Sequence, residues 1–377
     1  MSGALVGFLI VGGGGASEVE RTVREAQRAA AADLLDVWRQ VEAFSHIVVA
    51  TDDAEWGAAL PAFHSVDVDL DARPESAGTP FHFGRRLAGL IRRYRPDRVL
   101  YSGGASAPLM RLEEWRQIAA RLQSPACRLA VTNNLHSGDW LGWTDALEAL
   151  PFLSDETSDN ALPWLLAERG GWRVHALPPS ASSRFDLDTP TDLLIADRHP
   201  DIGLHLRAFL DTLEWETPWL DSLLEVMFRE GSSLAVIGRV SSAAWGALER
   251  ATRCWIRVLA EERGMRASGR QARGEVRSLL SDWVDLVGVE GMVERLSGLV
   301  DGMLWDNRVL LAARGLWPSA ADRFNADLGR WEMVTEPFLR TLTRAIVETG
   351  RPIVVGGHSV VAGGLMALVE GASAGKG

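Results

Sequence analysis

The chain is short of the features that mark several protein classes. Its 377 residues include two cysteines, Cys127 and Cys254, far apart and each in an apolar sequence setting. They form neither a metal-binding spacing nor a disulfide framework, which suits a reducing compartment. No apolar run reaches the roughly 20 residues that a membrane helix requires. The opening Met1 to Ile10 is apolar but has no basic stretch, and it runs at once into glycines, so it reads as a buried first strand rather than a signal peptide. Positive charge is short too, with a formal net charge of −11. Unspecific binding to nucleic acid or to an anionic membrane needs the opposite sign, so neither is an expected partner, and the expected location is the cytoplasm. Tyrosine is nearly absent, 2 against 15 tryptophans. The tryptophans are scattered through both halves, which reads as core filling and not as a base-stacking platform.

What is present is the composition of a soluble globular protein, 47% hydrophobic and 24% charged, in a chain too long for one ordinary core. Two domains are expected, residues 1–200 and 201–377, with a boundary near Pro200. The first half alternates strand and helix signals, which predicts a Rossmann-like, largely parallel α/β sheet. Leu5 to Val11 is a continuous apolar run, typical of a strand covered on both faces. A long helical pattern follows from Glu18 to Phe44. Further strands are expected at His46 to Thr51, Val66 to Leu70, Arg98 to Tyr101, Cys127 to Thr132 and Trp172 to Ala176. The second half reads as a mixed, largely helical α/β domain, with strands at Leu234 to Ile237, Val309 to Ala312 and Ile353 to Val355. The tail after Gly371 is rich in small residues and reads as frayed.

Several constellations carry chemistry. The run Gly12, Gly13, Gly14, Gly15 follows a strand and precedes a helix, where backbone N–H groups can approach a phosphate, although glycines there also make plain tight turns. A second loop, Gly103-Gly104-Ala105-Ser106-Ala107-Pro108, follows the strand at Arg98. Thr132-Asn133-Asn134-Leu135-His136-Ser137-Gly138-Asp139 gathers amides, an imidazole, a hydroxyl and a carboxylate behind a strand, where open α/β sheets place ligands; the alternative is an Asx-rich turn. Arg266, Arg270, Arg273 and Arg277 recur at helical spacing and would form one basic stripe, suited to an anion or else paired with Glu261, Glu262 and Glu275. Gly357-His358-Ser359-Val360-Val361 lacks the second glycine of a nucleophile elbow, so it reads as a glycine turn. Lastly, Asp186 and Asp188 lie at i and i+2 at the end of an extended segment, so they project to one side and offer oxygen ligands to a hard cation. Thr189 and Pro190 then start a helix as N-cap and first-turn proline.

The segment Asp186-Leu187-Asp188-Thr189-Pro190-Thr191-Asp192-Leu193 resembles the closing motif of nucleotidyltransferases of the molybdenum-cofactor guanylyltransferase and 2-phospholactate guanylyltransferase type. The order of pieces agrees over about residues 4–198: an opening glycine turn, a strand running into a Pro108-Leu109 loop, Thr132-Asn133-Asn134, then the acidic motif. The resemblance implies a sheet of the nucleotide-diphospho-sugar transferase type. It implies transfer of a nucleoside monophosphate from a nucleoside triphosphate to a small phosphorylated acceptor, with Mg²⁺ on Asp186 and Asp188. Nucleotide or acceptor contacts would then fall on Gly12 to Gly15, Gly103, Gly104, Ser106, Asn133, Asn134, His136, Arg266 and Arg270.

Two departures bear on turnover. The family's opening loop usually carries Ser, Arg and a later Lys, whereas this chain has Gly15-Ala16-Ser17-Glu18-Val19-Glu20-Arg21 and no lysine nearby. Active members tend to keep an aspartate just before the Pro-Leu pair, and here Ser106-Ala107 stand there. Both remove charge that would stabilise a triphosphate. A non-catalytic relative that binds a nucleotide or anionic metabolite is therefore the second expectation. A nucleotide-sugar glycosyltransferase ranks third, because its metal-binding pair normally follows a mid-domain strand.

Overall fold

The computed structural model describes residues 4–71, 81–124, 127–153, 156 and 159–374. By internal contacts the chain divides into two units. The first comprises Met1–Gly13, Gln27–Ser183 and Gly203–Leu206; the second comprises Gly14–Ala26, Arg184–Ile202 and Arg207–Gly377.

The first unit is built on strands β1 (Leu5–Val11), β2 (Phe44–Thr51), β3 (Val66–Leu70), β4 (Arg98–Gly103), β5 (Leu129–Thr132), β6 (Trp140–Thr144) and β7 (Arg173–Ala176). They form one sheet in the order β3-β2-β1-β4-β6-β5-β7. Only β6 runs antiparallel to its neighbours β4 and β5; the other pairings are parallel. The mostly parallel α/β sheet is thus as expected, and its 3-2-1-4 start matches a doubly wound order. Its cause is visible in β1. Val6 and Phe8 enter one core while Leu5, Leu9 and Val11 enter the other, so both faces are covered and every position is apolar. The strand β6 lies behind a polar turn in sequence, and its side chains are all buried. Three tryptophans fill this core, with Trp115 at 5.4 Å from both Trp38 and Trp140 in edge-on pairs. Core filling does not hold for all of them, since Trp164, Trp245, Trp255 and Trp317 are exposed.

The second unit holds a sheet of β8 (Ser233–Gly238), β9 (Trp255–Ala260), β10 (Gly302–Asp306) and β11 (Ile353–Gly356). The order is β11-β10-β8-β9, and all pairings are parallel. Helices Ser242–Ala251, Leu279–Gly298, Pro337–Glu348 and Gly363–Ala374 belong to the same unit. The last of these carries order past Gly371, while residues 375–377 lie outside the described residues.

Two sequence expectations are corrected here. Val309 to Ala312 is not a strand but part of the helix Arg308–Ala313, and the strand is β10 just before it. A short apolar run of this kind has no periodicity that separates the two states. The arginines from 266 to 277 do not form a helical stripe either. That stretch is a chain of turns, with Gly264, Gly269 and Gly274 at φ of 77°, 70° and 66°. Left-handed glycines at that frequency cannot continue a right-handed helix.

Candidate functional site

The acidic segment groups with the second unit. Phe185, Leu187 and Thr189 are buried while Asp186 is half-buried and Asp188 exposed, the alternation of an extended chain lying on a core. Both carboxylates therefore face outward together. Thr189 then caps the helix Pro190–Asp197 in a capping box: the Asp192 carboxylate accepts from the Thr189 amide at 2.8 Å, the Thr189 hydroxyl at 2.8 Å and the Asp188 amide at 3.1 Å. The Thr191 hydroxyl donates to the Val355 carbonyl at 2.6 Å, which ties the segment to β11. Gly356 eases this approach, since a Cβ there would crowd Thr191 at 3.1 Å. At Gly363 it would fall 1.9 Å from the Arg184 carbonyl oxygen. The segment and the final helix thus pack backbone against backbone.

Desolvation raises the Asp188 carboxyl above its ordinary range, while a hydrogen bond from Asp186 and the charges of Arg266 and Arg239 oppose the rise. Water reaches Asp188, yet the protein around it is dense enough to cost it hydration. Asp192, fully enclosed, is pushed up to about 7 by burial and by the neighbouring Asp188.

The same surroundings include the carboxyl ends of the second sheet. Asp306, at the end of β10, is wholly buried and accepts two bonds from Arg239, Nε at 2.6 Å and Nη2 at 3.1 Å. Arg239 follows Gly238, whose φ is +117° and where a Cβ would lie 2.6 Å from that of Asp306. His358, after β11, is reached by water, but desolvation and then Arg239 and Arg263 push its pKa down to about 4, against the pull of Asp306. It is neutral at pH 7. Deeper in the unit, Arg308 pairs with Asp327 at 2.6 Å, both buried. Arg323 lies within electrostatic reach of Arg308, Asp327, Arg266 and Glu20.

The other sequence candidates have mostly spent their polar groups within the chain. The Gly13 amide donates to the Asp52 carboxylate at 3.0 and 3.2 Å, so an acid of the protein stands where a phosphate would. Gly12 lies beside that same carboxylate, 3.4 Å from its own Cβ direction. The Gly14 carbonyl accepts from Arg24, and Gly15 is required because a Cβ would meet the Arg21 amide at 2.8 Å. The Gly103 and Gly104 amides donate to the carbonyls of Asp139 and Ile10, and the Ser106 hydroxyl donates to Asp139 at 3.1 Å. Asn133 is buried, and its side chain exchanges bonds with Asp139 in both directions. Asn134 accepts from the His136 amide in an Asx turn. Arg270 pairs with Glu262 and Arg273 with Glu275. Among the described residues, the exposed side chain of Arg266 makes no hydrogen bond or ion pair, and only its carbonyl is engaged, by the Gly269 amide at 2.9 Å.

Sequence reasoning missed Arg239, Arg263 and Asp306. The available signal was a charged residue at or just beyond the end of an apolar strand, as at Gly238-Arg239 and Trp305-Asp306.

As to metal, no group of three or more His, Cys, Asp or Glu among the described residues could hold an ion. Two outward carboxylates still fit Mg²⁺, which keeps several waters and takes its other ligands from substrate phosphates. No helix of the described residues is long and apolar enough to cross a membrane.

No family model and no curated protein matches the sequence. Among solved structures the chain is similar to a cytidylyltransferase from Leptospira borgpetersenii serovar Hardjo-bovis, at 12% identity over 58% of this chain and 100% of that one, with a TM-score of 0.38. It is similar to 4-diphosphocytidyl-2C-methyl-D-erythritol synthase from Anaerococcus prevotii DSM 20548, at 12% identity over 52% and 95%, with a TM-score of 0.37. A third likeness is to CMP:2-keto-3-deoxy-manno-octonic acid synthetase complexed with CTP, at 14% identity over 46% and 89%, with a TM-score of 0.32.

Proposed function

We propose that this chain is a nucleotidyltransferase-like protein that takes a nucleoside triphosphate with Mg²⁺ and passes the nucleoside monophosphate to a small phosphorylated acceptor. The observation that carries this is the outward carboxyl pair Asp186–Asp188, fixed by the Thr189 cap and within electrostatic reach of Arg266 and Arg239. In the transfer, an acceptor phosphate oxygen bonds to the α-phosphorus and pyrophosphate leaves. Asp186 and Asp188 would hold the Mg²⁺, which supplies charge neutralisation for the phosphates. Arg266, exposed and without an ion pair among the described residues, draws the anionic substrate in. Arg239 is pinned by Asp306 and presents a fixed cation. The chain's one lysine is Lys376, so fixed positive charge for phosphates falls to arginine.

One observation favours a second reading, a non-catalytic binder of a nucleotide or anionic metabolite. The Gly13 amide is already held by Asp52, which leaves the opening turn fewer donors for a triphosphate. The two readings separate in one experiment. The protein is incubated with each nucleoside triphosphate, Mg²⁺, inorganic pyrophosphatase and a panel of phosphorylated acceptors. Transfer predicts phosphate release that Asp186→Asn and Asp188→Asn abolish. Thermal stabilisation by nucleotide without release supports the binder, and neither effect would sink both.

A further inference from the structure

We propose that β9, the edge strand of the second sheet, is where two copies of this chain associate, by antiparallel pairing of β9 with β9 of the second copy. The inference goes beyond nucleotidyl transfer and stands whether or not that reaction occurs.

The edges of the two sheets differ in how they are protected. An edge strand offers unpaired N–H and C=O groups to any other strand, and proteins commonly cover it or place charge along it. β11 is buried along its whole length. β3 carries Asp67 and Asp69, and β7 carries Arg173 and His175. β9 has neither protection. It ends the sheet order and pairs with β8 alone. None of its six residues is buried, while β8 beside it is buried from Leu234 to Gly238. Its sequence, Trp255-Ile256-Arg257-Val258-Leu259-Ala260, holds no proline, no lysine and one charge. Trp255 is 74% exposed and Val258 36%, although strands of parallel sheets are ordinarily covered on both faces.

The backbone fixes which residues can pair. The Trp255 and Glu261 amides donate inward, to the Ser232 and Gly238 carbonyls at 2.7 and 2.8 Å. Alternate residues of a strand turn their backbone groups to opposite sides, so Ile256, Val258 and Ala260 direct theirs away from β8. An antiparallel partner must therefore match even-numbered residues with even-numbered ones. Centred on Arg257, such a pairing sets two guanidinium groups directly opposite each other, which opposes association. Centred on Leu259, it overlaps the strands only from Val258 to Ala260. Centred on Val258, it pairs residues 256–260: Ile256 faces Ala260 of the second copy, and the two Val258 face each other. Each Arg257 then lies diagonal to both Arg257 and Glu261 of the second copy, so charges of both signs balance across the two-fold axis. The Glu261 carboxylate is held in place for this by the Ser278 hydroxyl and the Leu279 amide. The even-numbered face is wholly apolar and sets a large side chain beside a small one. Self-pairing of β3 would instead gather aspartates alone. A two-fold pairing of this kind closes at two copies.

The test uses the full chain, without nucleotide or Mg²⁺. Sedimentation equilibrium up to about 100 µM, where a micromolar Kd is saturated, shows dimers for the parent. Val258→Lys sets two like charges face to face at the axis, and Val258→Pro removes an outward N–H that β8 does not use. Each weakens dimerisation about tenfold or more, while Val68→Lys, at a position 40% exposed on the β3 edge, leaves it unchanged. Val258→Lys changes only a solvent-exposed side chain, so it decides the matter where the proline variant fails to fold. Hydrogen exchange at low and high protein concentration locates the contact, with the Ile256, Val258 and Ala260 amides gaining protection on association. A monomer at every concentration, a dimer that Val258→Lys leaves intact, or protection gained elsewhere and not on β9 overturns the proposal. None of these outcomes bears on nucleotide turnover, so the transfer reading stands or falls separately.

Discussion

The strand ends of the two sheets are both polar in sequence, but they carry different groups and the structure uses them differently. In the first unit, the residues beyond β1, β4 and β5 are glycines, hydroxyls and amides whose donors are taken by the chain itself: Gly13 by Asp52, Ser106 by the Asp139 carbonyl, Asn133 by the Asp139 carboxylate. In the second unit, the residues beyond β8, β9 and β10 are charged. One arginine is locked by a buried aspartate, and two others have no ion pair among the described residues. A gathering of polar residues is therefore not by itself a binding site. What matters is the capacity left after the fold has used its share.

The comparison can be broken at its strongest member. Asp306→Ala removes the counter-charge of Arg239 and should cost about 3–5 kcal/mol in denaturant unfolding, the penalty for stranding a buried ion. Its counterpart Asp52→Ala strands only an exposed amide, Gly13, and should cost about 1 kcal/mol or less. Equal costs would erase the distinction. Next comes glycine. Gly238→Ala combines a left-handed φ with a Cβ 2.6 Å from that of Asp306 and should destabilise by roughly 2–4 kcal/mol, read from the thermal midpoint. Gly14→Ala meets nothing within 4 Å and should change stability by about 0.5 kcal/mol or less.

A smaller effect follows from Asp327, pushed up to about 6 from 3.8 by burial, with Arg308 opposing. The folded chain holds that proton more tightly than the unfolded one. Its stabilising contribution is complete below the unfolded value and is lost as pH rises through about 6. Unfolding measured from pH 7 to pH 5 should therefore show stability rising on acidification, and Asp327→Asn should flatten that slope. An unaltered slope in the variant would place its origin elsewhere.

Much of this architecture was legible in the sequence. The continuous apolar run of β1, the alternation of strand and helix, and the Thr189-Pro190 helix start all specify local structure through local signals. So did the direction of Asp186 and Asp188, because a period of two needs no tertiary knowledge. What failed was non-local. The strand β6 enters the sheet antiparallel between β4 and β5, and β10 is a central strand only because β8 and β11 flank it. The arginines after β9 matched a helical period, but three left-handed glycines overrode it. Whether Asn133 or Ser106 is free for a ligand depends on Asp139, whose partnership no spacing reveals.

The most direct test of the central claim is hydrogen–deuterium exchange of the full chain with and without Mg²⁺ and a mixture of the four nucleoside triphosphates. Protection should appear at residues 186–192, 239–241 and 261–266, with little change at residues 12–13, whose amide is already held by Asp52. Protection centred on residues 12–13 and 103–106, with none along the second unit's strand ends, would contradict it.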